Sequence, residues 1–284
     1  MFIVDSQVHI WAASTPERPW DTDSPAKPHR AEPFTALDLM QSMKDAGVSR
    51  CVLVPPSWEG DRNDVALEAA ANFPGVFAVT GRFAINAADA REQIKGWMLQ
   101  PGMLGLRLTL RTEREKRLLY DANEDWVWDI AEKAGVPLLV YPNGQLEAIN
   151  RIAERHPGMK LVIDHLGLRR GKDAEATADI ALLAKMASRP NIAVKASCLP
   201  FYSTQGYPFL NLHDSVKAII DAYGPERVFW GSDMTRNPCT YAECVTMFTE
   251  EMPWMNGSAK EEVMGRAICR WLNWPISDTA KTEA

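Results

Sequence analysis

Hydrophobic residues are grouped along this chain into short runs, and longer stretches with a helical pattern of apolar and polar positions separate the runs. Eight runs are nearly continuous in apolar residues, as is typical of strands buried on both faces of a parallel sheet. The predicted strands are residues 2–9, 51–54, 76–80, 104–108, 137–141, 160–164, 192–195 and 227–230. The pattern therefore predicts a buried parallel sheet.

The stretches between the runs predict helices with recognisable ends. After the first strand, Thr35 supplies a capping hydroxyl, Asp38 follows three positions later, and Gly47 suits the left-handed residue that ends a helix. Leu39 and Met43 lie between these signals at helical spacing and form an apolar face. Later helical stretches end in glycine or Pro-Gly in the same way.

Strand and helix alternate eight times, and no linker rich in proline, glycine or serine interrupts the series. This order predicts an α/β fold, a single (β/α)8 TIM barrel over residues 1–284, with 276–284 as a loose tail. A doubly wound open sheet is the main alternative, but it normally carries a glycine-rich phosphate turn after its first strand, and "QVHIWAAS" has none. Residues 13–33 are expected to form a long loop over the barrel mouth.

The composition excludes some functional classes. A formal net charge of −6 argues against a nucleic-acid partner, since a phosphate-binding surface needs clustered Lys and Arg. No apolar run approaches the roughly 20 residues that span a bilayer, and the first residues lack a signal-peptide pattern. The five cysteines form no Cys-x-x-Cys pair and indicate free thiols. We expect a cytoplasmic protein with a small-molecule substrate and no membrane partner; assembly into a homo-oligomer stays open.

Barrel chemistry lies at the carboxyl ends of the strands, and nearly every predicted strand brings a polar side chain to that end. The candidates, in chain order, are Gln7, His9, Ser57, Trp58, Asn63, Arg107, Tyr141, His165, Lys195 and Asp233. Each has a structural explanation when taken alone: a lysine can pack its stem and keep its amine in solvent, and Ser57 or Asn63 can cap a helix. Together they predict an active site, with Asp233 the strongest candidate because a buried carboxylate is costly unless it is used or paired.

The remaining histidines, His29, His156 and His213, occur in loop or helix-end contexts and are interpreted as structural. The loop after strand seven, "LPFYSTQGYPF", contains no arginine. Dicarboxylate substrates usually recruit several guanidinium groups, so this loop counts against such a substrate.

Six motifs occur in an order that resembles a known family: "DSQVHIW", "VLVPPSWEGDRN", "GLRL", "VIDHLG", "VKAS" and "RVFWGSD". They resemble the amidohydrolase-related family of the amidohydrolase superfamily, in particular its lactone-hydrolase branch, which includes 2-pyrone-4,6-dicarboxylate lactonase and sugar lactonases. The resemblance runs from Val4 to "GRAICRWLNW". It implies a TIM barrel in which Asp233 activates water and Arg107 and Tyr141 face the substrate. His9 matches the second histidine of the strand-one pair, and His165 matches the strand-six histidine.

Gln7 departs from the family pattern, since many relatives have histidine there. An amide oxygen is a poor ligand for a zinc-like ion, so we expect no metal and no other cofactor, with a single divalent ion left open. Without a metal, Asp233 would accept the proton of the attacking water, while His9, His165 and Gln7 would donate hydrogen bonds to the carbonyl oxygen.

Arg107, Tyr141 and Lys195 would then hold a carboxylate or hydroxyl group of the substrate. The sequence thus predicts a metal-independent hydrolase of carboxylic ester bonds, a lactonase of small, oxygen-rich, carboxylated substrates. The alternatives are a metal-dependent decarboxylase of an aromatic or muconate-type acid, a sugar-lactone isomerase, and a binding protein that has lost catalysis.

Overall fold

The computed structural model describes residues 1–24 and 26–276. Eight parallel strands form one sheet in the order β1 to β8. They are β1 (Val4–Val8), β2 (Arg50–Leu53), β3 (Phe77–Arg82), β4 (Met103–Leu108), β5 (Leu138–Val140), β6 (Leu161–Ile163), β7 (Ile192–Ser197) and β8 (Val228–Gly231). Strand β8 returns to β1, where the backbone N–H of Asp233 donates to the carbonyl of Gln7 at 2.8 Å. The sheet is therefore a nearly closed barrel.

Helical segments surround the barrel. In the described part of the chain they are α1 (Ala36–Ala46), α2 (Asp64–Asn72), α3 (Ala90–Lys95), α4 (Glu113–Tyr120), α5 (Trp126–Lys133), α6 (Leu146–Arg155), α7 (Asp173–Ala176), α8 (Ile180–Lys185), α9 (His213–Tyr223), α10 (Tyr241–Thr249), α11 (Gly257–Glu261) and α12 (Ala267–Trp271). A π-helical turn, Glu262–Arg266, joins the last two. No helix of the described residues is long and apolar enough to cross a membrane.

The TIM barrel and the eight predicted strands are confirmed, with strand ends that differ from the prediction by at most two residues. The ends of α1 are also as predicted: Thr35 and Asp38 form a reciprocal capping box, and Gly47 ends the helix at φ 72°. The loop after β1 contains no helix or strand in its described residues, and a bridge between Trp11 and Phe34 closes its base. Of the predicted tail, all but Ile276 lies outside the described residues.

Layers of side chains fill the barrel interior, and their order decides where polar chemistry can occur. One apolar residue from each strand packs in the lowest layer: Val4, Val52, Ala78, Leu104, Leu139, Val162, Ala193 and Phe229. Because strand side chains alternate with period two, Asp164 and Lys195 lie one layer above Val162 and Ala193. The next layer opens at the carboxyl ends of the strands. Polar chemistry is therefore confined to the upper layers.

Close approach between β8 and β1 depends on Gly231. A Cβ atom there would lie 2.6 Å from the Ser6 hydroxyl oxygen and 3.1 Å from the backbone nitrogen of Gln7. Any larger residue would push the two strands apart. The glycine thus brings the end of β1 next to the residues that follow β8.

Candidate active site

Three ionisable side chains that follow β1, β6 and β8 meet at the carboxyl end of the barrel. The Nε2 atom of His9 lies 3.4 Å from Oδ1 of Asp233, and Nε2 of His165 lies 3.9 Å from Oδ2 of the same carboxylate. All three side chains are buried. Neither oxygen of Asp233 has a hydrogen-bond partner among the described residues. The structure thus brings together the three residues predicted to be catalytic.

The two imidazoles are held differently. Nδ1 of His9 lies 2.5 Å from the carbonyl oxygen of Val54, which can only accept, so Nδ1 carries the proton and Nε2 of the neutral ring has a free lone pair. Nδ1 of His165 lies 2.8 Å from the hydroxyl of Ser197, which can donate or accept, so Nε2 of that ring can carry a proton. His9 is therefore an acceptor toward Asp233, whereas His165 can act as a donor.

Burial sets the charge of these groups. It lowers the pKa of His9 to about 3, although Asp233 opposes the shift, and it lowers the pKa of His165 to about 4. Both rings are consequently neutral at pH 7. Burial alone would raise the pKa of Asp233, but the positive charge of Arg236 helps to hold it well below its usual range. Asp233 is therefore an ionised carboxylate that accepts no hydrogen bond from the described residues.

Strained backbone positions these side chains. His165 (φ 54°), Cys198 (φ 60°) and Asp233 (φ 51°), just after β6, β7 and β8, all adopt the left-handed conformation. Each such non-glycine residue costs on the order of 1–3 kcal/mol, and strain of this kind concentrates at functional sites. The potential ligand atoms of the three residues lie within 4.8 Å of one another. The strained turns therefore direct three side chains at one point.

Asp5, which is not among the residues predicted from the sequence, also belongs to the site region. Its Oδ1 accepts hydrogen bonds from the backbone N–H groups of Gln7 and Ser232, and its Oδ2 accepts from the hydroxyls of Ser232 and Tyr241. Burial raises the pKa of Asp5 to about 6, against these hydrogen bonds. The carboxylate therefore ties β1 to the segment that carries Asp233. Its signal was a charged residue inside the first apolar run.

A cavity of about 650 Å³ opens above Asp233. The predicted site residues on its wall are His9, Ser57, Trp58, Arg107, Tyr141 and Asp233. His165 is not on the wall; it lies behind Asp233, against the ring of Tyr141, with a centroid separation of 5.6 Å.

Gln7 and Lys195, predicted to contact the substrate, do not reach the cavity. Both are fully buried, and Nζ of Lys195 donates to Oε1 of Gln7 at 2.8 Å. The physical reason is depth: they lie one layer below His9 and Ser197, because strand side chains on one face repeat every two residues. Gln7 therefore does not line the cavity, and its amide nitrogen is buried without a hydrogen-bond partner among the described residues.

Asn63 is also placed differently from the prediction. Its amide nitrogen donates to the carbonyl of Arg82 at 2.8 Å, and its amide oxygen accepts from the backbone N–H of Arg82 at 2.7 Å. The side chain thus fastens the start of α2 to the end of β3 and does not line the cavity. We assign it a structural role.

His29, interpreted as structural from the sequence, lies on the cavity wall. Its Nδ1 is 2.7 Å from the hydroxyl of Thr235, and its ring centroid is 5.9 Å from that of His9. The long loop after β1 folds back over the mouth, as expected, and packs His29 against Trp58 with a centroid separation of 4.9 Å. No local sequence signal marks this residue, because the path of the loop depends on these tertiary contacts.

The other two histidines have contacts that fit a structural role. Nδ1 of His156 lies 3.0 Å from a carboxylate oxygen of Glu132, and Nε2 of His213 lies 2.8 Å from the carbonyl of Pro208. Neither residue lines the cavity.

Positive charge dominates the cavity wall. Its cationic residues are Lys27, Arg107, Arg111, Arg170, Lys172 and Arg236, whereas its only carboxylate among the described residues is Asp233. Arg111 stacks on Tyr141 at 4.8 Å and Arg236 on Phe201 at 4.3 Å. The loop after strand seven contains no arginine, and this counted against a dicarboxylate substrate. The guanidinium groups of the cavity come instead from β4 and from the segments that follow β4, β6 and β8.

An eight-stranded barrel with ionisable residues at the carboxyl ends of its strands is the architecture of a TIM-barrel enzyme. The family model described as Amidohydrolase matches residues 4–280, so the chain belongs to the amidohydrolase family. The resemblance seen in the sequence motifs is thereby confirmed.

Relatives of known name are similar along most of the chain. L-fucono-1,5-lactonase of Burkholderia ambifaria is 26% identical over 244 residues, which cover 82% of this chain and 80% of that protein. An amidohydrolase from Burkholderia multivorans with bound zinc has a TM-score of 0.79 at 21% identity, over 97% of this chain and 100% of the other. A candidate 2-pyrone-4,6-dicarboxylic acid hydrolase from Pseudomonas putida has a TM-score of 0.74 at 22% identity, over 97% and 98%. The two structures share the fold.

Proposed function

We propose that this protein is a lactonase that opens a small, oxygen-rich, carboxylated lactone by metal-independent hydrolysis. The observation that carries the proposal is the ionised carboxylate of Asp233, without a hydrogen-bond partner in the described structure, at the floor of a cation-lined cavity. The relatives named L-fucono-1,5-lactonase support the reaction type.

Water activation follows from the two acceptors at the cavity floor. Nε2 of neutral His9 and Oδ1 of Asp233 are 3.4 Å apart, so one water molecule could donate a hydrogen bond to each. Such a water presents its lone pairs to the cavity. As it attacks the lactone carbonyl carbon, Asp233 accepts its proton and can later return it to the alkoxide released by ring opening. His165, behind Asp233, can donate to the second carboxylate oxygen and hold it in place.

Stabilisation of the oxyanion is assigned to the cations of the wall. His9 was expected to donate to the carbonyl, but its proton is committed to Val54. Arg107, Arg236 and the hydroxyl of Tyr141 are the remaining donors near the floor. Removing one such donor typically reduces the rate about 10²–10³-fold. A lactone suits this site because its alkoxide leaves more readily than an amine and stays tethered.

Carboxylate recognition is assigned to guanidinium groups that lack an anionic partner. Arg111, Arg170 and Arg236 make no ion pair with the described residues, and Nε of Arg111 is buried without a hydrogen-bond partner there. A planar guanidinium matches a carboxylate with two parallel hydrogen bonds. A substrate carboxylate would satisfy these groups, whereas a neutral sugar lactone would leave them unpaired.

A divalent metal ion is the alternative catalyst, and the side chains of the site can be compared with those that usually bind such an ion. Catalytic zinc sites usually have three protein ligands. His165, Cys198 and Asp233, whose potential ligand atoms lie within 4.8 Å of one another, would hold the ion here, and it would supply polarisation of the carbonyl oxygen. Two features favour the metal-free assignment: Oε1 of Gln7 is already bonded to the ammonium of Lys195, and the cavity wall carries several permanent positive charges that repel a cation.

The experiment is a lactone panel assayed with and without chelator on protein of known metal content. Aldonolactones, muconolactones and pyrone carboxylates, with uncharged analogues, would be followed by a pH indicator and by product analysis. Hydrolysis releases one proton per turnover. We expect turnover of carboxylated lactones, no loss with chelator, and substoichiometric metal.

Other outcomes would identify the alternatives. Carbon dioxide release that depends on stoichiometric metal would indicate the decarboxylase. A changed lactone without proton release would indicate the isomerase. Lactone binding without turnover would indicate a protein that has lost catalysis.

A further inference from the structure

A buried layer of charge lies directly beneath the cavity. Asp164 bridges two cations in this layer: its Oδ2 accepts from Nε of Arg107 at 2.9 Å, and its Oδ1 is 3.3 Å from Nζ of Lys195. The side chain of Lys195 is 0% exposed. Two positive charges therefore share one carboxylate.

Only one of the two cations reaches the cavity. Arg107 lies on the wall, and Nε is its only nitrogen with a hydrogen-bond partner among the described residues. Its terminal nitrogens are consequently available to a ligand. Lys195 is sealed beneath, with its ammonium between Asp164 and the amide oxygen of Gln7.

We propose that Lys195 is a positioning residue for specificity, which neutralises Asp164 from below and so leaves Arg107 with an uncompensated positive charge toward an anionic substrate. This inference rests on the proposed function only in that the ligand of the cavity is an anion.

The effect of Lys195 on Arg107 is electrostatic. Arg107 and Asp164 alone would form a neutral pair, and an anion approaching Arg107 would be repelled by Asp164 behind it. The added ammonium makes the cluster of three side chains net positive, and charges interact strongly where little water is present. Burying a lysine is costly in desolvation, so packing alone is a poor reason for a charged residue here.

Asp5, a further buried carboxylate of the barrel, does not replace Asp164 in this arrangement. Asp5 receives four hydrogen bonds from Gln7, Ser232 and Tyr241 on the β1–β8 side. It forms no ion pair with Arg107 or Lys195. Asp164 is therefore the carboxylate that pairs with Arg107 from below, and Lys195 contacts the same carboxylate.

The test uses Lys195→Met, the double variant Lys195→Met/Asp164→Asn, and Asp164→Asn alone. Malonate binding to the full-length protein would be measured by calorimetry, and kcat and KM would be compared for a carboxylated lactone and an uncharged analogue. We expect Lys195→Met to weaken malonate binding about tenfold and to raise KM mainly for the carboxylated lactone. The double variant restores the net charge and should recover binding to within about threefold of the original protein.

Asp164→Asn provides a second test, which remains informative if the Lys195→Met protein does not fold. It leaves both cations uncompensated and should bind malonate more tightly than the original protein. Weakening by Asp164→Asn, unchanged binding by Lys195→Met, or a double variant as weak as Lys195→Met would each overturn the proposal in favour of a packing role. Absence of malonate binding to the original protein would also overturn it. The expected binding pattern without lactone turnover would contradict the proposed function but support this inference.

Discussion

The proton on Nδ1 of His9 is fixed by the carbonyl oxygen of Val54, which lies 2.5 Å away. The nitrogen that faces Asp233 is therefore a lone-pair acceptor in the neutral ring. In the proposed mechanism, His9 would therefore orient the attacking water and would not polarise the substrate carbonyl.

We accordingly predict that His9→Asn lowers kcat by about 10²-fold with little change in KM. Asparagine can keep the hydrogen bond to Val54, but it lacks the acceptor that faces Asp233. Steady-state kinetics would measure the effect, and His156→Asn, which alters an imidazole away from the cavity, serves as the control. A His9 variant with normal kcat would contradict the orienting role.

Asp233→Asn is predicted to reduce turnover on the order of 10³-fold while the protein stays folded. The amide cannot accept a proton from water, yet asparagine tolerates the left-handed backbone at this position and removes a buried charge. Thermal melting should therefore show a midpoint equal to or above that of the original protein. Asp221→Asn, on the exposed face of α9, is the matched control. Near-normal turnover would exclude Asp233 as the base.

Arg236 is predicted to act on both substrate and base. The Arg236→Gln variant should raise KM for a carboxylated lactone, because one guanidinium is lost from the wall. It should also move the acidic limb of the pH–rate profile to higher pH, since Arg236 helps to hold the pKa of Asp233 below its usual range. Lys185→Gln, on α8, is the control. A raised KM with an unmoved acidic limb would confine Arg236 to binding.

The barrel could be predicted from sequence because buried parallel strands leave continuous apolar runs that few other elements imitate. The meeting of His9, His165 and Asp233 followed from the rule that strand ends share one rim. The depth of a side chain below the cavity could not be predicted. Gln7 and His9 point to the same side of the chain, yet only His9 reaches the cavity. Arg111 and His29 were missed because tertiary contacts set the paths of their loops.

Asn63 and Ser57 offer a test of whether a predicted site residue has a structural role or contacts the substrate. Asn63→Ala should lower the free energy of unfolding by about 1–3 kcal/mol, because the backbone N–H of Arg82 loses its acceptor, and should leave KM unchanged. Ser57→Ala, on the cavity wall, should change KM with little effect on stability. Chemical denaturation and steady-state kinetics would measure both. The reverse pattern would show that Asn63 reaches the substrate.

Acid stability should depend on the buried imidazoles. Burial lowers the pKa of His9 to about 3 and the pKa values of His165 and His29 to about 4, from 6.5 in the unfolded chain. Between pH 4 and 6.5 the unfolded chain therefore binds more protons at these residues than the folded protein. The free energy of unfolding consequently rises with pH across this window.

Asp5 opposes this trend. Its pKa is raised from 3.8 to about 6, so the folded protein binds the extra proton there between these values, and stability from this group falls as pH rises. Three imidazoles outweigh one carboxyl group, so urea midpoints should increase from pH 4.5 to 6.5. His29→Asn should flatten the increase and Asp5→Asn should steepen it. A midpoint that falls with pH, or variants that change the slope in the opposite directions, would show that the imidazoles are charged in the folded protein.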